Sequence, residues 1–166
     1  MNGDERRNRP SHHVVHDCVN LVSAGEEIKR APRPPLNTHV GHAFYMNCRK
    51  MYEFFTYEPS KNLNYDDLRA REFTRTPDVD YVINVWTSDI QEHMNKQLMQ
   101  VTRDRIKRTM VWEGHAENGL FLEEFKAAWK LFFDNLTDTL KAQFREEIDL
   151  KRKEADWADV VLYSGD

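Results

Sequence analysis

The chain is poor in the residues that crosslink or break a fold. Of its 166 residues, 2 are cysteine, 6 are glycine and 6 are proline. Two cysteines, Cys18 and Cys48, cannot frame a disulfide-dense secreted domain, and no CxxC spacing exists to build a zinc site. They read as buried, reduced thiols of a cytoplasmic protein. Long apolar runs are missing as well. None approaches the roughly 20 residues that span a bilayer, so no membrane partner is expected. The opening MNGDERRNRP carries charge with no apolar stretch behind it and does not read as a secretory signal. An excess of positive charge is also lacking: the net charge is −4. That excludes a surface built throughout for nucleic acid and leaves room for a local basic patch. No Gly-rich phosphate loop, GxSxG elbow or HExxH motif is present, and no cofactor is expected.

What is present is helical periodicity. Hydrophobic residues make up 40% and charged residues 31% of the chain. Residues 1–10 read as a mobile arm. Ser11 is a good N-cap for a first helix over 11–30, with Val14, Val15, Cys18, Leu21 and Val22 on its apolar face. Gly25 weakens its last turns, and the APRPP run ends it. A second helix over 36–57 places Val40, Phe44, Cys48, Met51 and Phe55 on one face, until Glu58-Pro59 stops it. A long connection over 58–79 follows, with one short helical turn between Asp66 and Phe73. A third helix is expected over 79–109, its stripe made by Val82, Trp86, Ile90, Met94, Leu98 and Val101. A fourth over 119–135 turns Phe121, Phe125, Ala128, Phe132 and Leu136 inward. Thr137 or Asp138 caps a fifth that runs to about Trp157. Its charge run REEIDLKRKE reads as a solvated face. The tail over 158–166 has no helical logic. The pattern defines an all-α fold: one bundle domain over 11–157 of four to five helices, with a long loop between the second and third.

The stretch YVINVWTSDIQEHMNKQLMQVTRDRI holds the most chemistry. Steps of four, three and four residues stack His93, Gln97, Gln100 and Asp104 along one edge of the third helix. One reading is a pocket in which His93 exchanges a proton, Asp104 orients a partner group and the glutamines donate and accept. The plainer reading is a polar border between neighbouring helices, which is the commoner fate of such an edge.

The run IQEHMNKQLMQVT resembles the late-helix segment of the HEPN superfamily, a set of all-helical domains. The resemblance extends over roughly 36–135 and includes the aromatic-rich second helix HVGHAFYMNCRKMYEFF. Active members carry an RxxxxH pair and cleave RNA as metal-independent dimers. Here Asn95 stands where the arginine would be and Gln100 where the histidine would be. Asparagine cannot neutralise a developing phosphorane charge, and glutamine cannot exchange a proton near neutrality. The resemblance therefore implies a HEPN-like scaffold without its catalytic pair, and it implies pairing through bundle helices.

Other groupings are less specific. His12 with His16, and His39 with His42, have same-face helical spacing. The two pairs start antiparallel neighbours, however, so one shared metal site is not expected. Lys96, Arg103, Arg105, Lys107 and Arg108 oppose Asp104 alone within 96–108, a patch able to position phosphates. The plainer reading, an ordinary cationic helix end, is the favoured one, because the acidic balance elsewhere offsets the patch. Trp86, Trp129 and Trp157 read as core or joint anchors, and Trp112 as a residue over a cleft or interface. Phe54, Phe133 and Trp129 exceed what one thin apolar face needs and are expected at an interface.

Two classes of function follow. The first is a non-catalytic helical module acting through protein contacts, with a protein partner or a homodimer. The second is a divergent ribonuclease or RNA-associated accessory protein. It would use His93 as acid and base, Arg49 or Arg103 against the phosphate, and the basic patch for nucleic acid.

Overall fold

The computed structural model describes residues 9–30, 38–56, 68–76, 79–88, 90–92 and 119–154. Among these are four α-helices: α1 (Pro10–Arg30), α2 (Thr38–Thr56), α3 (Leu120–Asn135) and α4 (Asp138–Glu154). A single 3-10 turn, Ala70–Glu72, falls within the stretch where a short turn is expected. The one β-bridge among the described residues, Thr74 with Leu136, is isolated. The fold is an all-α bundle.

Cross-contacts fix the helix directions. Gly25 lies against Phe44 while Asp17 binds Lys50, so α1 and α2 run antiparallel. Tyr45 meets Phe121 and Phe54 meets Phe132, so α2 and α3 run parallel. Arg9 pairs with Glu146 and His12 with Glu147, so α1 and α4 run parallel. The core lies where these helices converge. Phe44, Tyr45, Cys48, Phe121, Trp129, Phe132, Phe133 and Phe144 are all essentially inaccessible. Ring-to-ring contacts link Trp129, Phe132 and Phe144 across the α3–α4 joint, with centroids 5.4–6.1 Å apart. Edge and tilted geometries at such distances add to area burial.

Helix ends follow local chemistry. The first helix opens at Pro10, one residue before the expected cap, so Arg9 and Pro10 do not belong to an arm. Proline suits the first helical position because the amide it lacks would have no partner there. Ser11 is thereby drawn into the first turn, buried. Before α3, Gly119 takes the left-handed conformation, φ 68°, which a glycine adopts without strain. The Thr137 side-chain oxygen accepts from the Leu140 amide at the start of α4, the expected capping bond.

The segment 79–87 corrects the sequence reading. It is not helical; among the described residues of the expected third helix, helical backbone appears at 88 and 90–92. The chain is instead an irregular strap. Tyr81, Ile83 and Trp86 are buried beneath it, and Val82, assigned to the helical stripe, is 59% exposed. Tyr81 packs on Phe55, and Trp86 stacks on Tyr52 at 5.3 Å. The Val85 amide donates to Glu124 Oε2 at 2.9 Å, a bond to α3 that an unbroken helix would have made to itself. Phe73 similarly wedges between Phe54, Phe132 and Phe144. The described part of the long connection, 68–76, thus contributes Phe73 to the core wall.

Candidate functional site

Among the described residues, two places carry more than core packing. The first is the seam where α1 and α4 run side by side. Glu147 lies in the charge run expected to face solvent, yet its side chain is fully buried. It falls three residues after Phe144 and one before Ile148, both buried, so helical spacing carries it inward. Its Oε2 lies 3.0 Å from His12 Nδ1. A carboxylate accepts only, so the bond requires the proton on Nδ1. One helical turn further along α1, His16 contacts Asn20 through a ring nitrogen at 3.0 Å. Partial burial, reinforced by the Lys151 ammonium on α4, makes His16 harder to protonate than an ordinary histidine. Arg9 reaches Glu146 at the same end.

A histidine oriented by a carboxylate is a component of acid–base sites. Here the pair is held within a helix–helix contact. The ring stands edge-on to His13, and the Ser11 hydroxyl beside it has no hydrogen-bond partner among the described residues. The arrangement acts chemically as a polar clamp that fixes α4 against the start of α1.

The second place is the outer side of α3. Its inner side is sealed by Phe121, Leu122, Phe125, Ala128, Trp129, Phe132 and Phe133. On the opposite side Leu120 is 46% and Leu131 40% exposed, with Ala127 exposed between them. At 3.6 residues per turn these three fall within about 40° of arc. Glu123 and Lys130, seven residues apart, share one flank of that stripe, and Lys130 also binds Asp134 at 2.7 Å.

The residues singled out from sequence are distributed differently. His93, Asn95, Lys96, Gln97, Gln100, Arg103, Asp104, Arg105, Lys107 and Arg108 lie outside the described residues, as do Trp112 and Trp157. Arg49 is described: its Nε donates to Glu53 Oε1 at 2.9 Å, one turn along α2. Its charge is engaged within its own helix. The interface expected of Phe54, Phe133 and Trp129 is overturned, because all three are buried in the core. Trp86 and Trp129 are core anchors, as read.

Cys18 and Cys48 are buried free thiols. Burial raises both far above the ordinary thiol range, and for Cys18 the neighbouring Asp17 adds to this. Neither is a nucleophile in this state. A small apolar cavity beside Cys18, bounded by Leu21, Met51, Phe55 and Trp129, has room for a water molecule at most. No group of three or more His, Cys, Asp or Glu side chains among the described residues is placed to hold a metal ion. No helix among them is long and apolar enough to cross a membrane.

Fold and surface together define an all-helical bundle with one amphipathic helix that is sealed inside and partly apolar outside. In comparisons with protein families, curated proteins and solved structures, nothing matches this chain.

Proposed function

We propose that the chain is a non-catalytic helical module that acts through protein contacts, with α3 as its contact helix. The carrying observation is the exposed Leu120, Ala127 and Leu131 stripe on a helix whose other side is fully used by the core. Apolar side chains aligned on one exposed helix face lose unfavourable hydration when a second surface covers them. The rigid aromatic core behind α3 keeps that face in a fixed shape, which lowers the ordering cost of association. The His12–Glu147 clamp and the strap over 79–87 serve the same end by fixing α4 and the α2–α3 interface. Two buried free thiols support a reducing, cytoplasmic setting.

The competing reading, a HEPN-like ribonuclease or RNA-associated factor, draws on Arg49 and residues 93–108. Of these only Arg49 is described, and its pairing with Glu53 gives that reading no added support.

The test is chemical crosslinking of the purified protein and of cell extracts, comparing wild type with Leu131→Glu. Crosslinks from α3 to another polypeptide, lost in the variant, are expected. Association that is identical in the two proteins, or absent from both, would refute α3 as the contact helix.

A further inference from the structure

We infer that the partner seated on α3 is α3 of a second copy, the two helices running antiparallel about a two-fold axis near Ala127. This rests on α3 being the contact helix and adds the identity and register of what covers it. A two-fold axis perpendicular to both helix axes keeps each flank of one helix on the same side as the matching flank of its mate. Glu123 and Lys130 occupy one flank at heptad spacing. With the axis near Ala127, Glu123 of each copy falls opposite Lys130 of the other, and the pair is made twice. Lysine has three donors, so Lys130 can hold its own Asp134 and the second copy's Glu123 together.

The register accounts for the remaining outer residues. Leu120 of one copy lies near Leu131 of the other, which places the two exposed leucines against each other at both ends. Ala127 at the centre lets the backbones approach closely, where a larger side chain would hold them apart. Asp134 falls over the first turn of the other copy's α3, where its negative charge meets the unsatisfied amides of a helix N-terminus. A parallel pairing would instead carry the Glu123 and Lys130 flanks of the two copies to opposite sides of the seam, where neither contact between Glu123 and Lys130 could form.

The experiment is sedimentation equilibrium of the full chain over a wide concentration range, with Glu123→Lys, Lys130→Glu and the double variant E123K/K130E. A concentration-dependent dimer is expected for wild type. Each single swap replaces two attractions by two repulsions and is expected to weaken dimerisation roughly tenfold. The double swap is expected to restore it. Ala127→Cys is expected to give a covalent dimer with diamide, since the native thiols are buried. All three positions are exposed, and although Glu123 also pairs with Lys126 and Lys130 with Asp134, a retained helical circular dichroism spectrum separates loss of association from loss of fold.

A wild-type chain that stays monomeric at every concentration overturns the inference. A dimer that neither swap affects, and that Ala127→Cys does not trap, overturns it too. If the monomer result is accompanied by α3-dependent crosslinks to a different polypeptide, the contact-helix reading stands and only the self-pairing falls.

Discussion

Replacing Gly25 by alanine sets two known effects against each other, and the structure says which prevails. Gly25 lies five residues from the end of α1, in regular helix. In an exposed helix the change to alanine stabilises by about 1 kcal/mol, because glycine loses more backbone freedom on folding. Here a Cβ would come within 2.9 Å of Phe44 Cε2 and 3.2 Å of both Leu122 methyls. Phe44 and Leu122 are each 1% exposed, so neither can swing into solvent. Phe44 is further confined by the Tyr45 ring 5.3 Å away. Overpacking a close-packed core costs about 1–3 kcal/mol. The balance is a net destabilisation of up to about 2 kcal/mol, after the propensity gain is subtracted. Urea unfolding of Gly25→Ala, Phe44→Leu and the double variant measures it. The double variant should be less destabilised than the two single changes added together, because leucine vacates the space that the new methyl needs. A Gly25→Ala protein about 1 kcal/mol more stable than wild type would show that the helices part easily at this crossing, and the packing argument would be wrong.

His12→Ala should destabilise by about 2–4 kcal/mol, because it strips a partner from a fully buried carboxylate; adding Glu147→Leu should recover much of that loss in the same denaturation assay. Tyr81→Phe should be neutral or slightly stabilising, since the hydroxyl is buried with no hydrogen-bond partner among the described residues. Burial also pushes the Tyr81 phenol up to about 12 from an ordinary value of 10.0. Its contribution is intact below the unfolded value and lost as pH climbs toward the folded one, so the variant should resist alkaline unfolding better than wild type. For His16 the folded value lies below the unfolded 6.5, so acidification through and below that point loads more protons on the unfolded chain and lowers stability. Guanidinium midpoints at neutral and mildly acidic pH should therefore differ less for His16→Gln than for wild type, and equal differences would exclude His16 as a contributor.

Helix identities were legible where short-range signals agreed. The apolar faces of α1 and α3 and the Thr137 cap depend on residues within a turn or two of each other, and the structure keeps them. The 81–86 stretch, YVINVW, failed because it is apolar at nearly every position. It satisfies the four-residue spacing of Val82, Trp86 and Ile90 as well as the alternation of Tyr81 and Ile83, and periodicity cannot choose between them. The choice is made by a bond from Val85 to Glu124, 39 residues away, and by the Tyr52 and Phe55 rings that receive Trp86 and Tyr81. Tertiary partners of that kind leave no mark in a local window.

Glu147 shows the same limit in a charge pattern. Within REEIDLKRKE nothing distinguishes it from Glu146 except its register with Phe144 and Ile148, and that register places a carboxylate inward. Burial of an ionised group without compensation would cost several kcal/mol, so the inward register alone argues against the fold. His12 resolves the conflict, 135 residues earlier in the chain. Because α1 and α4 run parallel, a slip of α4 by one residue would exchange Glu147 for Glu146 or Ile148 at that position. It would leave the imidazole facing the wrong side chain. A hydrophobic contact between the two helices tolerates such a slip more readily than a directional bond does. The clamp therefore fixes the register of α4 against α1 as well as adding to stability. Since α4 packs on α3 through Phe144 against Trp129 and Phe132, that register also sets the rigid backing of the helix on which association is proposed to depend. A His12→Ala protein that remains folded should accordingly associate more weakly than wild type, even though His12 is on a different helix from the contact face.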